Sequence, residues 1–201
     1  MNIKEKNILA IIEKGGYLHN CLKEDKEYNQ LINMSFEYKI DSIQLETSKD
    51  GNFITYIRKN DYIYRLNSSY YPSKEAEIWA KPYESSCYGR TNRIFYVFGL
   101  GNGYFISELL KIIDDTDRIL IYEPSKEMFF HSIENYNLID IIQSTRVTIC
   151  INEINGDDLK EIIDIYGEGM QYGNNVYLSL PHYEKIYPEQ RDWFNKIYTV
   201  R

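Results

Sequence analysis

The hydrophobic period of the chain changes twice, and each regime predicts a different kind of element. From residue 3 to about 35 the spacing is helical. Ile8, Leu9, Ile11 and Ile12 form one apolar face, Gly15-Gly16 breaks it, and Leu22, Leu31, Ile32 and Met34 continue on a second helix. From Tyr38 to Leu66 the period falls to two. Ile43 and Leu45 alternate with Ser42, Gln44 and Glu46. Ser48 to Asn52 is a turn, and Phe53, Thr55 and Ile57 then alternate with Ile54, Tyr56 and Arg58. Asn60-Asp61 is a second turn before Tyr62 to Leu66. Turn residues between alternating runs predict an antiparallel meander. Pro72 opens a helix over residues 73–80, since its missing N–H is no loss in a first turn. Pro82 and Gly89 mark the boundary of the second half.

From Arg93 the pattern becomes repeated β-α units. Ile94 to Phe98 is a continuous apolar run, as a strand covered on both faces requires. Gly99-Leu100-Gly101-Asn102-Gly103 is a turn, and Phe105, Ile106, Leu109, Leu110 and Ile113 recur at helical spacing. Asp114, Asp115 and Asp117 fall in a polar loop, where acids are ordinarily solvated. Ile119 to Tyr122 is a second strand ending in Glu123-Pro124, and Ser125 caps a helix carrying Met128, Phe129 and Ile133. Val147 to Ile151 and Val176 to Leu180 are two further strands, separated by a helical face of Leu159, Ile162, Ile163 and Tyr166. A charged amphipathic helix ends the chain. The expected fold class is α/β: a Rossmann-like (methyltransferase-like) parallel sheet of about four strands, preceded by a small α+β region with the meander. The expected division is 1–88 for the helical segment and meander, 89–185 for the Rossmann-like domain, and 186–201 for a C-terminal helix.

Composition narrows the function classes. The 201 residues are 43% hydrophobic and 26% charged, enough for a core, and the formal charge of −7 disfavours nucleic acid. The apolar run Ile8 to Ile12 is too short for a signal peptide, and nothing approaches the roughly 20 apolar residues of a membrane span. Cys21, Cys87 and Cys150 form no CxxC pair, which reads as small buried side chains in a reducing cytoplasm. His19, His131 and His182 are isolated, so no metal site and no catalytic constellation is expected. The 20 tyrosines read mainly as strand packing with the hydroxyl in water.

The candidate chemistry lies in the glycine turn. Gly99, Gly101, Asn102 and Gly103 stand between a first strand and a first helix, where backbone N–H groups meet ligands. Glu123 closes the second strand, the place from which an acid accepts from a ribose. Position 104 is Tyr, against the last glycine of a dinucleotide fingerprint, and no GK[ST] phosphate loop follows. The G-x-G-x-G turn matches that of S-adenosylmethionine-dependent methyltransferases, but Val97 stands where those enzymes usually carry an acid. The alternative is a scaffold whose glycines serve strand-to-helix packing alone.

Four stretches add a family resemblance: YYPSKEAEIWA (Tyr70 to Ala80), IFYVFGLGNGYFISELLK (Ile94 to Lys111), ILIYEPSKEMF (Ile119 to Phe129) and LPHYEKIYPE (Leu180 to Glu189). In order and style the chain resembles the motility accessory factor (Maf) family of bacterial flagellin glycosyltransferases. In that family an N-terminal domain precedes a central catalytic domain of the MptE-like, DUF115 type. The resemblance implies transfer of nonulosonic acids from a CMP donor to flagellin Ser or Thr, with donor-binding and catalytic residues in the central domain. This chain stops at Arg201, so it is expected to be either a shortened form or a natural stand-alone chain, with no catalytic residue to carry over. Three functions follow as expectations. The first is a non-catalytic N-terminal domain with flagellin as the full-length partner. The second is a stand-alone methyltransferase using S-adenosylmethionine, which is otherwise not expected as a cofactor. The third is an interaction module presenting the tyrosines between Phe53 and Tyr71. Neither nucleic acid nor membrane is expected as a partner, and homo-oligomerisation is left open.

Overall fold

The computed structural model describes residues 1–33, 42–84, 91–168 and 174–199. Met34, Tyr38, Cys87, Gly89 and the expected boundary at 88/89 lie outside the described residues.

The N-terminal region holds three helices where two were expected: α1 (Ile3–Lys14), α2 (Gly16–Leu22) and α3 (Lys26–Ile32). The extra break has a local cause. The Asp25 carboxylate accepts from the N–H groups of Glu27 and Tyr28, both at 2.9 Å, and starts a new helix. The buried face of α1 is also rotated from the expected one. Asn7, Ile8, Ala10 and Ile11 are buried, whereas Leu9 and Ile12 remain exposed. Asn7 decides this orientation: its amide donates to the carbonyls of Ile133 (2.8 Å) and Tyr136 (2.6 Å), and its oxygen accepts from Leu138 N (3.0 Å).

The meander forms as the alternation predicts, with β1 (Ile43–Thr47), β2 (Phe53–Lys59) and β3 (Tyr62–Arg65) paired antiparallel in that order. Asn60 and Asp61 both take positive φ (49° and 63°), the geometry of a two-residue type I′ hairpin. The helix α4 (Pro72–Ala80) follows, with proline in its first turn.

The second half alternates β4 (Ile94–Phe98), α5 (Tyr104–Ile112), β5 (Arg118–Glu123), α6 (Lys126–Asn135), α7 (Ile139–Gln143), β6 (Val147–Ile151), α8 (Leu159–Glu168) and β7 (Asn175–Ser179). The four strands pair in parallel in the order β6-β5-β4-β7. The central strand β4 is buried at every residue. After β7 come α9 (Tyr183–Ile186) and α10 (Pro188–Thr199). Phe194 of α10 rests on one face of the sheet, its ring 5.6 Å from Phe98, 5.5 Å from Tyr122 and 5.8 Å from Tyr177. The short helices α7 and α9, of five and four residues, carry too few positions for a periodic signal, so the hydrophobic pattern does not predict them.

A buried polar chain ties the meander to the α/β body. Thr55 of β2 bonds His131 Nε2 (3.0 Å) and the Tyr136 hydroxyl (2.7 Å). Asn102 donates to Asn67 Oδ1 at 2.5 Å, joining the glycine turn to the segment after β3. Thr55→Val keeps the shape and removes the hydroxyl. It is expected to cost about 1–3 kcal/mol, because two buried polar groups lose a partner. Urea unfolding checks this, and an unchanged midpoint would mean that the chain carries no stability.

Candidate functional site

The site is built on the transition from β4 to α5. Gly99 (φ 106°), Gly101 (φ 56°) and Gly103 (φ 83°) all adopt backbone that side chains resist. Gly103 is the N-cap of α5, and no side chain caps that helix. Glu123 ends β5, directly beside the turn. The structure therefore brings together the residues that the sequence singled out.

The manner of the meeting differs from that of a ribose-binding acid. Glu123 is fully buried, and its carboxylate turns inward. One oxygen accepts from Leu100 N (2.8 Å), Gly101 N (3.1 Å) and the Tyr183 hydroxyl (3.2 Å), while the other accepts from Ser125 N (3.1 Å). This burial means that Glu123 is not a solvated strand-end acid. Burial pushes the Glu123 carboxyl up to about 7, with the four donors pulling the other way. Gly99 N is bonded to Tyr122 O at 2.8 Å, and Gly103 N to Leu100 O at 3.1 Å. The N–H groups of Gly99, Leu100, Gly101 and Gly103 are thus already spent within the protein.

Tyr183, the first residue of α9, fills the space over the turn. A Cβ on Gly99 would lie 2.5 Å from its ring, and one on Gly101 would lie 3.0 Å from Leu180. Ligands of open parallel sheets bind beyond the strand C-termini, where the strand order reverses. Here that position falls between β4 and β7, and the chain's own Tyr183 and Leu180 pack there. Tyr183 lies in the LPHYEKIYPE stretch, but nothing local marks it as a partner of the glycine turn; that role emerges only when β7 is placed beside β4. Chemically, this side of the turn is a sealed, hydrogen-bonded joint. Asn102 and Gly103, both buried, lie at the floor of a cleft on the other side, with Leu138 packed against Gly103.

The remaining candidates have structural partners. Asp117, expected in a solvated loop, is fully buried: it accepts from Arg93 Nη2 at 2.6 Å, Arg93 Nε at 3.0 Å and Asp114 N at 2.9 Å. Asp115 stays exposed. His131 is buried within the polar chain, and burial lowers it to about 4. His182 takes a left-handed φ of 67° before α9, its ring 5.9 Å from that of Tyr64. Cys150 is buried and Cys21 half-buried, and both are free. Among the described residues, no group of three or more His, Cys, Asp or Glu is placed to hold a metal ion, and no helix is long and apolar enough to cross a membrane. Tyr28, Tyr96, Tyr122 and Tyr183 are core residues, while Phe53, Tyr62, Tyr70 and Tyr71 are exposed.

Fold and site together define a class: an α/β domain whose parallel sheet carries a self-sealed glycine turn, with an antiparallel meander clamped onto it. The family profile described as the Glycosyltransferase Maf N-terminal domain matches residues 1–187, and the chain belongs to that family. Among solved structures it is similar to the MAf glycosyltransferase from Magnetospirillum magneticum AMB-1. The two share 13% identity at a TM-score of 0.54, over 97% of this chain and 35% of that one. The chain thus spans about a third of the length of that relative, and at such identity the likeness is one of fold alone. A fibrillarin from Aeropyrum pernix, solved with S-adenosyl-L-methionine, aligns at 12% identity over 70% of this chain and 62% of that one. Its TM-score of 0.34 carries no argument here. A search of curated proteins returned no match.

Proposed function

We propose that this chain is a non-catalytic N-terminal domain of a Maf-type flagellin glycosyltransferase, the whole enzyme moving a nonulosonic acid to flagellin Ser or Thr. The domain itself serves folding, acceptor recognition or assembly. The observation that carries this reading is the sealed turn: the donors and the crevice that would take a nucleotide are occupied by Glu123 and Tyr183. The strand order, the turn after the first parallel strand and the acid closing the second support a Rossmann-like ancestry for the sheet. A role in acceptor recognition is supported by the exposed rings of Phe53, Tyr62, Tyr70 and Tyr71, since tyrosine is enriched at interfaces. We place the encounter with flagellin in the cytoplasm, in keeping with the absence of any CxxC pair among the three cysteines.

Calorimetric titration of the purified chain with S-adenosylmethionine, NAD and a CMP-linked nonulosonic acid tests the reading. Silence with all three is the expected result. Affinity for S-adenosylmethionine at about the micromolar level would favour a methyltransferase instead. Sugar transfer from a CMP donor to flagellin by the 201-residue chain alone would refute the non-catalytic assignment.

A further inference from the structure

The outer side of the glycine turn opens into a cleft of about 480 Å³. Asn102 and Gly103 form one wall. That wall continues into α5, and the others are the tip of the β1–β2 hairpin, the start of α4, the segment joining α6 to α7, and Ile3 at the start of α1. Five separate stretches of chain therefore converge on it. The volume falls within the usual range of small-molecule sites.

The lining has a consistent chemistry. Amides and hydroxyls come from Asn52, Asn135, Asn137, Ser73 and Ser107, and aromatic surface comes from Phe53 and Tyr104. The Phe53 side of the cleft is held in place by the Tyr104 hydroxyl, which donates to Phe53 O at 3.0 Å, yet Phe53 remains 53% exposed. Beneath the cleft lies the buried polar chain. Asn102 and Tyr136 are both nearly inaccessible, and Asn67, bonded to Asn102, keeps a buried amide nitrogen without a partner. The floor is thus preorganised and polar, and one ring at the rim is free to stack.

Charge selects among ligands. Glu108 and Asp140 line the cleft, and the one lining lysine, Lys111, is bonded to Glu108 at 2.6 Å. An anion would meet two carboxylates and one cation that is already paired. A neutral polyhydroxylated ligand meets amides that both donate and accept, carboxylates that accept from its hydroxyls, and a ring for its C–H face.

We propose that this cleft is a binding site for a neutral saccharide. The inference does not depend on the reading of the sealed turn, and its test uses different ligands. Backbone amide NMR spectra of the full chain are titrated with N-acetylglucosamine and with methyl β-glucoside, and N-acetylneuraminic acid serves as the acidic comparison. The expected result is saturable shifts at Asn52, Asn102, Ser107 and Asn135 for at least one neutral sugar, below about 50 mM. Phe53→Ala changes an exposed residue and is expected to retain the wild-type melting temperature, whereas Asn137→Ala also removes the bond from Ile139 N to Asn137 Oδ1 (3.2 Å) and is expected to melt slightly lower while remaining folded at the titration temperature. Each is expected to weaken binding about tenfold, and the acidic sugar should bind about tenfold more weakly than the neutral one. The proposal is overturned by an absence of saturable shifts with both neutral sugars, by binding that survives both variants, or by a preference for the acid.

Discussion

Replacing Gly99 with alanine is expected to destabilise the chain by about 2–6 kcal/mol, combining backbone strain of roughly 1–3 with overpacking of roughly 1–3. Both contributions have a visible source. The φ of 106° lies where a Cβ is resisted by its own backbone, and the added carbon would lie 2.5 Å from the Tyr183 ring. The ring has little freedom to retreat. It packs edge-on to Phe98 at 6.2 Å, and its hydroxyl is tied to Glu123. Backbone strain belongs to Gly99 alone, whereas overpacking belongs to the pair. Measured by urea unfolding, Gly99→Ala should therefore cost less in a Tyr183→Leu background, where the branched side chain can turn away. Equal costs in both backgrounds would show that Tyr183 does not press on the turn. A loss under about 1 kcal/mol would remove the strain argument as well.

The second large effect concerns pH. Glu123 is raised from 4.5 to about 7 by burial, so the native state holds its proton more tightly than the unfolded chain does. That contribution is fully present below pH 4.5 and is lost as pH rises through 7. His131 is lowered from 6.5 to about 4 by burial, so the native state resists its protonation. Its contribution is present above pH 6.5 and is lost as pH falls through 4. Each swing is roughly 3 kcal/mol, and between pH 4.5 and 6.5 they run in opposite directions. The wild-type chain is expected to show a nearly flat stability profile in that window. Each single variant should uncover the other group. Glu123→Gln should gain stability as pH rises from 4 to 6.5, and His131→Asn should lose it as pH rises from 4.5 to 7. Urea unfolding at about five pH values between 4 and 8 reads both slopes. Flat profiles in both variants would mean that neither buried group is titrating.

Much of this architecture was legible in local patterns. The continuous apolar run of Ile94 to Phe98 marked a strand buried on both faces. The alternation from Ile43 to Leu66 marked the meander, and Asn60-Asp61 its second hairpin turn. The three glycines marked the turn, and Ser125 the start of α6, where its hydroxyl accepts from Met128 N at 3.0 Å. All these signals act over a few residues, through side-chain alternation, permitted φ and capping. Such properties survive in the unfolded chain's own sequence and need no distant partner.

The site depended on distant partners. Glu123 could be named from its place at a strand end, but whether it faced a ligand or its own turn depended on Tyr183, 60 residues away. Asp117 looked like one more loop acid until Arg93, 24 residues earlier, was brought against it. The apolar pattern of α1 gave Leu9 and Ile12 no mark to distinguish them from Ile8 and Ile11. Asn7, bonded more than 120 residues away, set which side was buried. The cleft has no sequence signature at all, because its walls come from five segments that only the packed fold brings together. By itself the sequence determined the strands, the longer helices, their order and the glycine turn, since these follow from local backbone preference. Only the tertiary structure decided that one side of the turn is closed and the other open, because burial and long-range hydrogen bonding have no local pattern along the chain.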